Sequence, residues 1–214
     1  MKRPIDLNRR HFILTALALG AAPAAWAAEP PTILVLGDSL SAEYGIARGS
    51  GWVALLEEKL AAEKITAQVV NASVSGDTTA GGRARLPALL KKHAPAVLII
   101  ELGGNDALRG LPLATTEANL SAMAQAAQQA GAKVLLAGME VPPNYGADYS
   151  RRFQAVFAQV AKARQTALVP FLLKGVADAP NATALFQPDR IHPTAAAHPT
   201  ILGNVWPELR KLLK

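Results

Sequence analysis

The chain has 214 residues, half of them hydrophobic and 18% charged, enough to bury one core and too apolar to stay disordered. It contains no cysteine, which excludes disulfides, thiolate nucleophiles, Cys-ligated zinc and a lipid-modified N-terminal Cys. The formal net charge is +6, and because Lys2, Arg3, Arg9 and Arg10 outweigh Asp6, only about +3 remains beyond residue 10; with no basic run interleaved with aromatics, nucleic acid is not an expected partner.

The chain opens with an address. Residues 1–10 are basic, Phe12 to Ala22 is apolar, and Ala25-Trp26-Ala27 is a small-x-small site. That order is the pattern of a secretory signal peptide, with cleavage expected after Ala27. A retained anchor is the alternative, but the apolar run is short for a span and meets Pro23. Arg9-Arg10-His11-Phe12-Ile13 resembles a twin-arginine export motif, whereas the hydrophobic stretch behind it suits the general secretory route. Either route predicts a periplasmic or secreted protein without a stable membrane span. The expected organisation is a leader over residues 1–27 and a single domain over residues 28–214.

Beyond the leader, strands and helices alternate. Ile33 to Leu36 is an apolar run ending at Gly37, and Gly51 to Lys64 carries Val53, Leu56 and Leu60 at helical spacing. Thr66 to Val70 reads as a strand, and Gly82 to His93 as a helix with Pro87 in its first turns. Val97 to Ile100 is continuously apolar, as a strand buried on both faces requires. Thr115 to Ala130 reads as a helix stopped by Gly131. Val134 to Ala137 is a strand, Ser150 to Arg164 a helix, and Leu168 to Phe171 a short strand. Thr194 to Leu213 reads as a last helix, broken or kinked at Pro199 and Pro207. The alternation predicts a three-layer α/β/α sandwich around a mostly parallel sheet of about five strands. Function is then expected at the carboxyl ends of the strands, which selects Gly37–Ser41, Asn71–Gly76 and Leu102–Asp106.

Those loops carry distinctive residues. Gly37-Asp38-Ser39-Leu40-Ser41 follows the first strand, Asn71-Ala72-Ser73-Val74-Ser75-Gly76-Asp77 the second, and Gly103-Gly104-Asn105-Asp106 the third. Asp189-Arg190-Ile191-His192-Pro193 precedes the last helix. A serine exposed at a sharp turn becomes a nucleophile when a hydrogen-bonded base takes its proton. His192 can serve as that base, and Asp189 can hold the imidazole in the needed tautomer. The pattern is not a Gly-x-Ser-x-Gly elbow, because Ser41 stands where its last glycine would be.

Together the four blocks resemble the GDSL/SGNH hydrolase family over about Thr32 to Leu209. The stretches Gly37 to Ile46 and His192 to Ala197 look closest to its bacterial thioesterase I, lysophospholipase and arylesterase group. The resemblance implies a flavodoxin-like fold and hydrolysis of a small acyl ester or thioester, with Ser39, Asp189 and His192 catalytic. It also implies an oxyanion hole made by the backbone N–H groups of Ser39 and Gly76 and the side-chain amide of Asn105. No cofactor and no metal are implied.

Plainer readings exist for each residue. Ser39 could cap a helix, Gly76 could only allow a left-handed turn, and Asn105 could cap the segment after it. Asp38 could be a second acid or a turn residue bonded to nearby backbone, and Asp106 could simply brace its loop. Asp189 and His192 could form a surface pair, or join His198 at a metal, although the spacing fits no common zinc pattern. Leu108, Leu111 and Leu113, and Pro142 to Gly146, are candidate walls of an acyl site. Two other functions are compatible with such loops: a carbohydrate O-acetylesterase, and a flavodoxin-like cofactor-binding module, although the first loop lacks a Ser/Thr-rich phosphate cradle. A monomer is the default expectation.

Overall fold

The computed structural model describes residues 30–214; the leader read in residues 1–27 lies outside the described residues. Five strands form one sheet: β1 (Thr32–Gly37), β2 (Gln68–Asn71), β3 (Val97–Glu101), β4 (Lys133–Ala137) and β5 (Ala167–Val169). Their spatial order is β2-β1-β3-β4-β5, and every pairing is parallel. This is the flavodoxin-like order, in which the chain starts in the middle of the sheet and winds first to one edge, then to the other. The winding reverses between β1 and β3, so their carboxyl ends leave a crevice open to a ligand.

The core follows from residue type. All five residues of β3 are buried, as are the last five of β1, because helices cover both faces of a parallel sheet. Each Leu, Ile or Val so buried contributes on the order of 2 kcal/mol. Helix α1 (Trp52–Ala62) packs with α7 (His198–Leu212) on one face, and α2 (Thr79–His93), α4 (Leu113–Gln129) and α5 (Ala147–Arg164) pack side by side on the other. The three-layer sandwich expected from the alternation is the architecture found. Two short helices, α3 (Gly104–Leu108) and α6 (Ala182–Leu185), lie outside the periodic pattern and were not anticipated.

A side-chain cap and the prolines account for the differences at three elements. Helix α2 starts at Thr79, three residues before the predicted Gly82, because the Thr78 side chain accepts the Gly81 N–H and caps it. Pro87 therefore lies inside α2, on an exposed face where water can serve the carbonyl it leaves free. Pro199 does not break the last helix. It occupies the first turn of α7, where no amide donor is needed. Strand β5 stops at Val169, two residues short of the predicted end, as Pro170 follows it. There the chain passes so close to Gly138 that a Cβ would sit 2.3 Å from the Pro170 carbonyl oxygen.

Candidate active site

Strand β1 ends at Gly37, whose register partner is Glu101 at the end of β3. A Cβ at Gly37 would lie 2.8 Å from each of three side-chain oxygens, on Glu101, Ser41 and Ser73. Only glycine lets these polar groups gather under the turn. The chain then folds over tightly: the Asp38 carbonyl accepts the Ala42 N–H at 3.0 Å, and Asp38 Oδ1 accepts the Leu40 N–H at 3.0 Å. Asp38 is thus the turn residue of the two readings offered for it. Ser39, at the crown, is half-buried.

The second partner arrives from the far end of the chain. Ser39 Oγ lies 2.9 Å from His192 Nε2, across 153 positions of sequence. His192 Nδ1 lies 2.6 Å from Asp189 Oδ2, while Asp189 Oδ1 accepts the backbone N–H groups of Ile191 (2.9 Å) and His192 (3.0 Å). Those bonds, led by the His192 N–H, hold the Asp189 carboxyl down at about 2. The short loop is fixed at its base, where Gln187 N–H donates to the His192 carbonyl at 2.7 Å. Gln187 Nε2 also donates to the carbonyls of Tyr44 (2.8 Å) and Pro193 (3.0 Å). It therefore ties the histidine loop to the serine loop. The Tyr44 ring lies 4.3 Å from the imidazole, tilted by 38°.

The remaining loops close on the same rim. Asn105, in the first turn of α3, donates from Nδ2 to Asp38 Oδ2 at 2.9 Å. Burial pushes the Asp38 carboxyl up to about 6, against the pull of the Leu40 and Asn105 hydrogen bonds. Gly76 has φ +78°, and its carbonyl accepts from Arg109 Nη2 at 2.7 Å. Among the described residues the N–H groups of Ser39 and Gly76 donate to nothing, so both stay available. Arg85 binds Asp77 Oδ2 at 2.7 Å and also reaches the carbonyls of Gly37 and Ala72, clamping the first two loops together.

Other candidates fall into place around this centre. Asp106 braces its loop: buried, it accepts from the Thr79 N–H at 2.9 Å and the Thr79 hydroxyl, and from Thr116 Oγ1 at 3.3 Å. His198 stands apart from Asp189 and His192, its buried Nδ1 accepting the Trp52 N–H at 3.0 Å. Leu108 is exposed at the end of α3, whereas Leu111 is half-buried and Leu113 packs on the core. Pro143 to Tyr145 form a 3-10 turn before α5.

Arg85 and Gln187, which tie these loops together, carry no mark in the sequence, and Glu101 carries little. Glu101 is wholly buried directly under the turn, with Oε2 accepting from Ser41 Oγ at 2.7 Å. Its only trace in the sequence is an acid at the end of an apolar strand.

Comparison with known proteins agrees with this architecture. Residues 35–199 match the GDSL-like Lipase/Acylhydrolase family. Esterase TesA of Pseudomonas aeruginosa is 54% identical over 182 residues, covering 85% of this chain and 89% of that protein. Thioesterase 1/protease 1/lysophospholipase L1 of Escherichia coli K12 is 42% identical over 187 residues, 87% of each chain. A crystal structure of psychrotrophic esterase EstA from Pseudoalteromonas sp., inhibited by monoethylphosphonate, is 40% identical, superposes with a TM-score of 0.79, and is matched over 85% of this chain and 98% of its own. Sheet order, loop placement and these likenesses converge: the chain is a hydrolase and belongs to the GDSL-like lipase/acylhydrolase family.

Proposed function

We propose that the protein hydrolyses acyl esters and thioesters through an acyl-enzyme on Ser39. The observation that carries this reading is the 2.9 Å contact between Ser39 Oγ and His192 Nε2. Ser39 Oγ attacks the substrate carbonyl carbon as His192 Nε2 takes its proton. Asp189 accepts the Nδ1 proton, fixes the tautomer and stabilises the imidazolium. A carboxyl held at about 2 is ionised above its unfolded value, and its support is lost only as pH falls through about 2. Asp189 is therefore ionised throughout the neutral range.

Attack converts the carbonyl oxygen into an oxyanion. The free N–H groups of Ser39 and Gly76 and the second Nδ2 hydrogen of Asn105 serve as its donors, and Asp38 orients the Asn105 amide. Such donors act by being in place before charge develops, each contributing about 10²–10³ in turnover. Collapse breaks the C–O or C–S bond, and His192 returns its proton to the leaving alcohol or thiol. Water, deprotonated by the same imidazole, then releases the acid and regenerates Ser39.

The rim fits an apolar acyl substrate. Among the described residues the exposed large hydrophobic side chains are Tyr44, Val74, Leu108 and Ile191. Tyr44 leans on His192, Ile191 precedes it, Val74 lies two residues before Gly76, and Leu108 adjoins the Arg109 that binds Gly76. Apolar side chains left in water around a reactive centre mark a binding surface. The esterase and thioesterase names of the relatives agree with that chemistry. We propose further that the enzyme acts in a periplasm or outside the cell, on the strength of the leader pattern in residues 1–27. We also propose that it acts as a monomer, because Ser39, Asp189 and His192 meet within one chain. No helix of the described residues is long and apolar enough to cross a membrane.

A substrate panel tests this reading. The purified protein is expected to hydrolyse p-nitrophenyl esters beyond acetate, and acyl-CoA thioesters as well. A sharp fall beyond acetate, with turnover of acetylated sugars, would assign a carbohydrate O-acetylesterase instead.

A further inference from the structure

Two carboxyl groups lie under the Ser39 turn, and the proposed reaction uses only one of them. Asp38 accepts the Leu40 N–H and the Asn105 amide. Glu101 has no part in the steps above, yet it is completely buried at the end of β3. Its Oε2 accepts the Asp38 N–H at 3.2 Å and the Ser41 hydroxyl at 2.7 Å. The Ser41 hydroxyl in turn accepts Trp52 Nε1–H from α1 at 3.2 Å. Glu101 thus holds the residue before the nucleophile and the residue two after it. Through Asp38 the same network reaches Asn105.

The surroundings do not suit a second negative charge. Glu101 Oε1 is buried and has no hydrogen-bond partner among the described residues. Arg85 from α2 reaches the same strand end, but its guanidinium is engaged by Asp77 and by the carbonyls of Ala72 and Gly37. His198 faces Trp52, and His192 acts on Asp38. An ionised Glu101 would combine an orphaned oxygen, no bonded cation and a neighbouring carboxylate, each of them costly in a dry site. The neutral acid keeps Oε2 as a carbonyl acceptor for both donors and leaves only a hydroxyl unpaired. It also adds no charge to repel the oxyanion forming above the turn.

We propose that Glu101 is a positioning residue for the Ser39 turn and does this as the neutral acid, so that of the two carboxyls beneath the nucleophile only Asp38 is ionised during turnover. This rests on the reading of Ser39 as nucleophile. Burial first, and the Asp38 charge second, push the Glu101 carboxyl well above the usual carboxylate range, partly offset by the Ser41 and Asp38 N–H bonds. For an acid whose folded value is raised, the stabilising contribution is present at lower pH and is lost as pH rises through that value. Turnover should decline over the same interval as the second charge appears.

The test compares Glu101→Gln, Glu101→Ala and wild type by kcat, KM and melting temperature across pH. Glu101→Gln retains the acceptor and is expected to keep kcat within about threefold of wild type near neutrality. Glu101→Ala leaves the Ser41 O–H and the Asp38 N–H without their acceptor and should lose about tenfold or more in kcat with little change in KM. The alkaline decline of both kcat and melting temperature should be weaker in Glu101→Gln than in wild type. Equal damage by Gln and Ala, or the same alkaline decline in Glu101→Gln as in wild type, would overturn the proposal. Should the variants fail to fold, wild type with ¹³C-labelled glutamate carboxyls decides. One resonance should remain at the neutral-acid shift at about pH 7, and a full set of ionised resonances would contradict the proposal. The same spectrum of Ser39→Ala reports on Glu101 without turnover. A Ser39→Ala protein that still hydrolyses ester would instead indict the nucleophile.

Discussion

Ser39→Ala is expected to lower kcat for a p-nitrophenyl ester by about 10⁵–10⁶-fold, the scale seen when a serine hydrolase loses its nucleophile. Among the described residues the hydroxyl has one bonded partner, His192 Nε2 at 2.9 Å, and no other side-chain hydroxyl bonds that imidazole; the chain also has no cysteine to stand in. What survives is hydrolysis by water beside the proposed oxyanion donors at positions 39, 76 and 105. Stability should barely change, within about 1 kcal/mol, since Ser39 is half-buried and fills no core position. Circular dichroism and thermal melting beside the rate would separate lost chemistry from lost fold. Activity within tenfold of wild type in a folded variant would remove Ser39 from the mechanism.

His192→Ala should cost nearly as much, and the size of the combined effect is the sharper result. A nucleophile and its base act as one unit, so removing either leaves the other with nothing to do. Ser39→Ala/His192→Ala is therefore expected to match the slower single variant within about threefold, where additive losses would reach about 10¹⁰-fold. Removing the imidazole also frees the Tyr44 ring that leans on it at 4.3 Å, and opens the serine loop to water. Losses that multiply would mean that the two side chains act independently. The contact seen between them would then have no chemical consequence.

The parts legible in the sequence are those set by local pattern. Ile33 to Leu36 and Val97 to Ile100 read as buried strands because burial on both faces leaves an unbroken apolar run. The loops after them were found because parallel sheets put function at strand ends, and because Gly37 and Gly103 mark abrupt turns. Asp189 and His192 lie three residues apart, so their pairing needs no knowledge of the fold.

What stayed hidden depends on distant partners. Glu101 looks like an ordinary charge closing a strand until β1 brings Asp38 and Ser41 onto it. His198 reads as a possible ligand until its bond to the Trp52 N–H, 146 positions away, is seen. Arg85 carries no mark in the sequence, yet it joins two loops of the candidate site by their carbonyls. The start of α2 was misplaced for a smaller reason: Thr78 caps the helix by a side-chain bond, whereas periodicity begins only where side chains pack. Buried polar groups find their partners in three dimensions, and one-dimensional spacing carries little of that information.

The central claim is that one hydroxyl in this chain is chemically unlike the others. Stoichiometric reaction with a fluorophosphonate, followed by peptide mass spectrometry, tests it most directly. Ser39 Oγ should attack phosphorus and expel fluoride, giving one adduct per chain on Ser39, with activity falling in step with labelling. An adduct on a different residue, or full labelling of an enzyme that still turns over ester, would contradict the account.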